Sequence, residues 1–385
     1  MNSIKFTQKT LRKFHLDQFP KKELYLVINK SFRDSFFDVL SNKIGGTTIL
    51  SRKLGVGSET VRRWKVGDRT FPNWALLQLN NLLRKEKFSV EVIEKNIEIF
   101  RGESSSYRII DLVFPLVEDE RLIRILTHLM CDGYSGGSKH LPTYVNTEKE
   151  LIKLFVNDLS VFGNVSVSIR KRKTPKGNKH YYSVEFPRIF KHILKEIYQS
   201  EFYAKTARLP KHFFNLNEKL SSEIIKCFGD DEGSVRESSI TFGLSNRYLL
   251  EDFRNILVKN LRMNDKLISE VKKVPEKTFY NFQVNRNLLK KYYDLIGFNH
   301  PDKRKRLEFI LSRESRSGNK YPKGVAKQKI VDLLAEKPSS AISLGMKVGI
   351  KPKNIRFHLN NLKKENKIHV SSLGENNTKI WSVTK

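Results

Sequence analysis

Apolar residues recur at helical spacing over most of the chain, and in its middle third this period gives way to short alternating runs at regular places. Residues 1 to about 105 read as a mostly helical region. Within it TTILSRKLGVGSETVRRWKVGDRTFP has the form of a helix-turn-helix at about 45–67. A short helix from Thr47 to Leu54 meets the turn Gly55-Val56-Gly57, after which Ser58 can cap a second helix carrying Arg62, Arg63, Trp64 and Lys65. Leu50, Leu54, Val56, Val61 and Trp64 would hold the pair together, leaving Ser58, Glu59, Thr60 and Arg63 to face a groove. An ordinary helical hairpin has the same pattern. RGESSSYRIID then reads as a polar linker.

From about 110 to 312 one unit occurs twice. In the first copy, 110–205, a helix ends at Asp132-Gly133 and polar strands run to about Asn146. EKELIKLFVNDLSVFG is an amphipathic helix, VSVSIRKRK and HYYSVEF form a strand pair, and PRIFKHILKEIY closes as a helix. The second copy, 206–312, repeats the order with SSEIIKCFGDDEG, SVRESSITFGLS, RYLLEDFRNILVKNL, LISEVKKV, TFYNFQVN and RNLLKKYYDLIG. Asp132 and Glu232 are 232 − 132 = 100 residues apart, and every element keeps its place, so the pattern predicts an α+β fold of two tandem αββαββα repeats. SRESRSGNKYPKG is a flexible connection. Residues 325–385 give three helices and a hairpin around Gly374-Glu375-Asn376-Asn377, the pattern of a winged helix. Lys353, Asn354, Arg356, His358 and Asn361 would lie on its recognition helix. Such domains also dock proteins.

Charge narrows the class of partner. Lys and Arg number 72 against 41 acids, a formal charge of +31 spread from end to end, which favours a polyanion, above all a nucleic acid. A ribosomal or membrane-surface role, or a lysine-rich proteome, would give the same balance. Two cysteines argue against a disulfide framework. No apolar run approaches the ~20 residues that cross a bilayer, and MNSIKFTQKTLRKF lacks the apolar core of a signal peptide, so the expectation is a soluble cytoplasmic protein without a membrane partner.

The candidate chemistry lies where each repeat's first helix stops. Asp132 ends IRILTHLMCDG and Glu232 ends IIKCFGDDEG, so both acids sit at the negative end of a helix dipole. Paired about a pseudo-two-fold axis, the carboxylates would also repel each other, and neither stretch supplies a compensating Lys at i+4. A divalent cation removes both penalties, and carboxylate oxygens suit Mg²⁺.

These residues resemble the LAGLIDADG (DOD-type) homing endonucleases, whose single-chain members carry two copies of a nine-letter motif. The copies here are ILTHLMCDG (125–133) and IKCFGDDEG (225–233). FGDDEGSV is the more specific match, and LIGFNHPDKRKRLEFIL is similar to the ending of the archaeal and intein-like members. The first copy is degenerate: His128 replaces an aliphatic residue and Met130 replaces the first acid. The resemblance implies a pseudo-two-fold saddle of two sheets, catalytic and Mg²⁺-binding roles for Asp132 and Glu232, and small residues where the motif helices touch. Thr127 and Cys131 would match Cys227 and Asp231 there, giving both cysteines a packing role. A partly buried histidine with a hydrogen-bond partner is the expectation for His128, with a ligand or proton carrier as the alternative, and Arg188 and Arg286 are candidates for the basic residues that assist such acids.

The saddle would read bases in the major groove of double-stranded DNA through Arg170, Lys171, Arg172, Lys173, Lys176 and Lys179 in the first copy. The second copy offers Arg236, Ser238, Thr241, Lys272, Lys273, Lys277, Tyr280, Asn281 and Gln283, with Arg62, Arg63, Lys65, Lys353 and Arg356 added by the end domains. A metal-dependent DNA endonuclease acting as a monomer is the leading expectation. Its rivals are a non-cleaving regulator of the WhiA type, which joins a decayed LAGLIDADG fold to a helix-turn-helix, and a maturase acting on intron RNA.

Overall fold

The computed structural model describes residues 11–102, 107–134, 141–173, 180–200, 205–314, 324–350, 352–374 and 378–384. The chain divides into two compact units, Met1–Arg304 and Lys305–Lys385.

Strand β1 (Lys13–Phe14) and strand β2 (Tyr25–Ile28) precede helix α1 (Lys30–Lys43), which starts where the Asn29 side chain accepts the Phe32 N–H at 2.8 Å. Helices α2 (Thr47–Leu54) and α3 (Ser58–Val66) form the expected pair, with Leu50, Leu54, Val61 and Trp64 buried. Gly55 closes α2 at φ 67°, a left-handed position that glycine adopts at low cost. One detail differs from expectation: Ser58 is the first helical residue, and the extended Gly57 before it is the cap, without a side-chain hydrogen bond. β3 (Phe71–Pro72), α4 (Asn73–Leu82), α5 (Val90–Glu94), β4 (Ile97–Arg101), β5 (Arg108–Ile110) and β6 (Leu116–Val117) complete this region. Strands β4 and β5 take both ends of the stretch expected to be a linker, and residues 103–106 between them lie outside the described residues.

Helix α6 (Glu120–Met130) opens the next segment, capped by Asp119, which accepts the Arg121 and Leu122 N–H groups. β7 (Gly133–Tyr134), β8 (Thr143–Asn146), α7 (Lys149–Asp158), β9 (Asn164–Val165), β10 (Ser168–Lys173), β11 (His180–Glu185) and α8 (Ile189–Tyr198) follow. The following segment runs α9 (Glu218–Glu232), β12 (Gly233–Arg236), β13 (Ser239–Leu244), α10 (Arg247–Asn255), β14 (Lys272–Lys273), β15 (Tyr280–Asn285), α11 (Leu289–Leu295) and α12 (Pro301–Glu314).

Two four-stranded antiparallel sheets result, β7-β8-β11-β10 and β12-β13-β15-β14. Both follow the order first, second, fourth, third. Short β9 does not join the first of them. It pairs with β5 and so closes a five-stranded sheet, β3-β2-β4-β5-β9, that ties the N-terminal region into the segment after it.

The aromatic cores behind the two sheets also correspond. Phe228 stacks on Phe253 at 3.9 Å and on Phe242 at 5.0 Å. In the matching place His128 packs on Tyr144 at 4.8 Å and Phe155 at 6.1 Å. A ring is retained at each position, but in one core it is polar and must find a partner.

In the second unit α13 (Val325–Glu336), α14 (Ala341–Val348) and α15 (Pro352–Lys364) surround Ile330, Leu344, Ile355, Leu359 and Trp381. β16 (Ser339–Ser340), β17 (Ile368–Gly374) and β18 (Thr378–Val383) form a three-stranded sheet in the order β16-β18-β17, one strand more than the expected ribbon. The tip of the expected hairpin, 375–377, and most of the expected flexible connection, 315–323, lie outside the described residues.

Candidate functional site

Helices α6 and α9 pack directly against each other, bringing the two acid-bearing ends together. Glu232 is the last residue of α9, and Asp132 follows Cys131, the C-cap of α6. Each acid is followed by a glycine for a steric reason. A Cβ on Gly133 would stand 2.3 Å from Leu129 Cα, and one on Gly233 would stand 2.5 Å from the Gly229 carbonyl oxygen. The chain must leave the helix against its own last turn, and only glycine fits.

Burial raises Asp132 to about 7, with repulsion from Asp231 adding to it. Burial likewise raises Glu232 to about 8, and here the neighbouring charges are Asp132 and Asp231. Asp231 thus raises both acids, and Asp132 also raises Glu232. The charge that opposes these shifts at both acids is Lys303, near the start of α12. Its ammonium donates to the carbonyl oxygens of Gly229 at 3.0 Å, Asp230 at 2.5 Å and Asp231 at 3.4 Å, the open end of α9. Burial lowers the Lys303 pKa, and the surrounding carboxylates work against that shift. A positive group at the helix C-terminus is what the dipole calls for. It arrives from 303 − 232 = 71 residues downstream, which no local reading of either motif could find.

Asp231 is a hydrogen-bond hub between the two segments. His128 Nδ1 lies 2.8 Å from its Oδ2, Tyr144 Oη donates to its Oδ1 at 2.8 Å, and Asn146 Nδ2 donates to the same oxygen at 3.3 Å. Asn146 also reaches Asp132 Oδ2 at 3.4 Å, so one amide links Asp132 to Asp231. Burial alone would lower the His128 pKa, but the Asp231 carboxylate outweighs it and holds the imidazole well above its ordinary value. His128 has the hydrogen-bond partner expected of it, but it is fully rather than partly buried. Asp231, expected as a small packing residue, is instead the acceptor for three side chains. Thr127 and Cys227 are buried in the helix pair, and Thr127 Oγ1 donates to the Ile123 carbonyl at 2.9 Å. Burial raises Cys227 to about 11 and Cys131 well above its usual value, so both thiols stay protonated.

Asp230, in the place held by Met130 in the first motif, accepts the Asn299 and His300 N–H groups at 2.9 Å each. It thereby anchors the turn that delivers Lys303. A second cross-link joins the far ends of the helices: Arg124 donates to Asp158 at 2.6 and 2.8 Å and to Glu223 at 3.0 Å. Among the described residues no group of three or more His, Cys, Asp or Glu side chains is arranged to hold a metal ion. Arg188 lines a separate cavity with Lys21 and Trp74, and Arg286 lies in a short 3-10 turn after β15.

Side chains alternate across a strand, so register sorts the basic residues by face. Buried Val184 and Tyr144 are paired and mark the helix side of the first sheet, which Lys171 and Lys173 share by position. Arg170 and Arg172 take the other face, where both reach Glu185, at 3.1 and 3.4 Å. Lys176 and Lys179 lie outside the described residues. In the second sheet Phe242 and Phe282 mark the helix side. Arg236, Thr241, Lys272, Asn281 and Gln283 fall on the opposite face, while Lys273 pairs with Tyr280 on the helix side. On α3, Arg62 and Arg63 are exposed and Lys65 is half-buried; the Arg62 guanidinium is paired with Glu59 at 2.6 Å. Lys353 and Arg356 are exposed on α15.

No protein-family model matches the sequence, and no curated protein matches it. Solved structures similar to this chain include the homing endonuclease I-WcaI bound to its DNA recognition sequence, at 18% identity and a TM-score of 0.33, over 46% of this chain and 81% of that one. I-DmoI in complex with DNA and Mn is 13% identical with a TM-score of 0.32, over 46% and 96%. Full-length DUF199/WhiA from Thermatoga maritima is 12% identical with a TM-score of 0.36, over 64% and 90%. Among the described residues no helix is long and apolar enough to cross a membrane.

Proposed function

We propose that this chain is a site-specific binder of double-stranded DNA that hydrolyses phosphodiester bonds with a divalent cation, in the manner of LAGLIDADG homing endonucleases. The observation that carries the reading is the meeting of Asp132 and Glu232 at the ends of two packed helices, each held far above the ordinary carboxyl range by burial and by neighbouring acids. Perturbed acids brought together in this way are a mark of functional sites.

The donors suit a hard cation. Two carboxylates destabilised as anions are relieved by a divalent charge, and Asp132 and Glu232 would hold Mg²⁺ through oxygen. Once bound, such an ion supplies charge neutralisation at phosphorus and a more acidic water. The chain's own residues orient and position: Asn146 fixes Asp132, and Lys303 holds the end of α9. The two sheets would form a saddle over the major groove, with Arg170, Arg172, Arg236, Lys272 and Gln283 toward DNA, as repeats 110–205 and 206–312 of one monomer. The helix-turn-helix at 45–67 and a winged helix at 325–385 would add contacts of their own.

A non-cleaving regulator on the same scaffold is favoured by one observation: the Lys303 ammonium already lies in the field of both acids, so the fold does not require a cation there. Cleavage of a randomised plasmid library with Mg²⁺ decides between the two. The nuclease reading expects a discrete cut site that Asp132→Asn and Glu232→Gln each abolish, with binding kept within a few fold. Unchanged cleavage by both variants would remove the assignment.

A further inference from the structure

Apart from the acid pair, the start of α8 and the N-terminal region line a half-open cleft of about 660 Å³, within the range of small-molecule sites. Lys21, Lys22, Glu23, Trp74, Arg188 and His192 are among its lining residues. Three of these are full cations and one is a carboxylate, 3 − 1 = 2 net positive charges, with His192 kept neutral because burial lowers its pKa. Arg188 Nε is buried and has no hydrogen-bond partner. A buried donor left unmade costs about 1–3 kcal/mol, so an acceptor from outside the protein is its natural complement. Arg188 is also the N-cap of α8, a 10-residue helix, and Ile189 lines the cavity, so the positive end of that helix opens into the same space. Trp74 and Tyr25 bring aromatic rings to the lining.

We propose that this cavity binds a nucleoside phosphate, with the phosphate at Arg188 and the start of α8 and the base against Trp74. A phosphate dianion matches the charge of the lining, and the guanidinium fork matches phosphate geometry. The aromatic rings supply what inorganic phosphate cannot use, a surface for the base. The site does not depend on the acids of α6 and α9. Its ligand is either a free nucleotide or one nucleotide of a nucleic acid lying across the protein.

Calorimetric titration of the full-length protein with adenosine monophosphate, adenosine and inorganic phosphate tests the proposal. The monophosphate should bind saturably at one site, and each fragment should bind about tenfold more weakly, lacking either the charge-assisted hydrogen bonds or the stacking surface. Arg188→Gln and Trp74→Leu should each weaken the monophosphate about tenfold. Lys21→Gln with Lys22→Gln should do so without touching a buried residue. If the monophosphate does not bind but Arg188→Gln weakens duplex binding about tenfold and uncovers part of the footprint, the nucleotide is carried by DNA and the proposal stands. Binding of both monophosphate and duplex that is the same in wild type, Arg188→Gln and Trp74→Leu reflects only the general positive field and overturns it.

Discussion

His128 of the first motif helix and Asp231 of the second meet at 2.8 Å with neither side chain exposed to solvent. A ring that stacks on Phe253 in one core is replaced in the other by one that must be charge-paired across the helix interface. Breaking such a buried pair from one side costs about 3–5 kcal/mol. His128→Phe should therefore be strongly destabilising, and His128→Phe with Asp231→Asn should recover much of the loss because Tyr144 and Asn146 can still bond the amide. Urea unfolding of the two single variants and the double variant measures the coupling, and additive losses would show that the pair is not a unit.

Asp132 and Glu232 have folded-state pKa values above their ordinary ones, about 7 and 8 against 3.8 and 4.5. The cost to the fold is therefore absent at low pH, where both folded and unfolded chains bind the proton, and grows as pH rises from the ordinary values through 7 and 8. Without metal, Asp132→Asn and Glu232→Gln should each raise the melting temperature at pH 9 and leave it nearly unchanged at pH 4. At about 1.4 kcal/mol per unit, each gain is a few kcal/mol at most. Divalent cation should stabilise wild type and not the double variant. A gain at pH 4 equal to that at pH 9 contradicts the assignment.

Lys303 works in the opposite direction. Its removal leaves the carbonyl oxygens at the end of α9 and the acids without that positive charge, so Lys303→Met should destabilise by about 1–3 kcal/mol, more at pH 9 than at pH 5. Differential scanning calorimetry across that range reads the effect, and a pH-independent loss would assign Lys303 to helix capping alone.

The face assignment gives a contrast within one strand. If the saddle binds DNA, Arg170→Ala and Arg172→Ala should each reduce the slope of log affinity against log salt by about 0.9 for every phosphate no longer neutralised, while Lys171→Ala and Lys173→Ala do much less. Equal effects at all four positions would mean that the strand offers only diffuse charge.

Removal of 325–385 should likewise flatten the salt dependence if Lys353 and Arg356 meet phosphates. Fluorescence anisotropy at several salt concentrations checks it, and an unaltered slope indicates a docking module.

Much of this arrangement is legible in the sequence because it follows from period and punctuation. The acid-glycine endings mark the helix stops, and the 100-residue offset matches segments whose sheets share a strand order. What escaped reading is what depends on contacts between distant segments. Lys303 carries no mark of its place at the end of α9, and Asp231 reads as part of a motif until Tyr144 and Asn146 are seen to reach it. The β5–β9 pair is too short to announce itself, so a stretch rich in serine reads as a linker although its flanks are strands. Alternation distinguishes Arg170 from Lys171, but only the buried partner Val184 says which face each takes.

Strands β2 and β3, which flank the α2–α3 helices in sequence, belong to a sheet that the β5–β9 pair makes continuous with the segment that holds Asp132, so the helical arm and that acid are tied to one sheet. If a duplex is held at both places, it is read in phase as well as in sequence. One base pair added between the two contact points turns the far one by about 34° around the helix axis, and half a turn hides it. Tolerance to such insertions, tested one base pair at a time, would therefore report how stiff this sheet is.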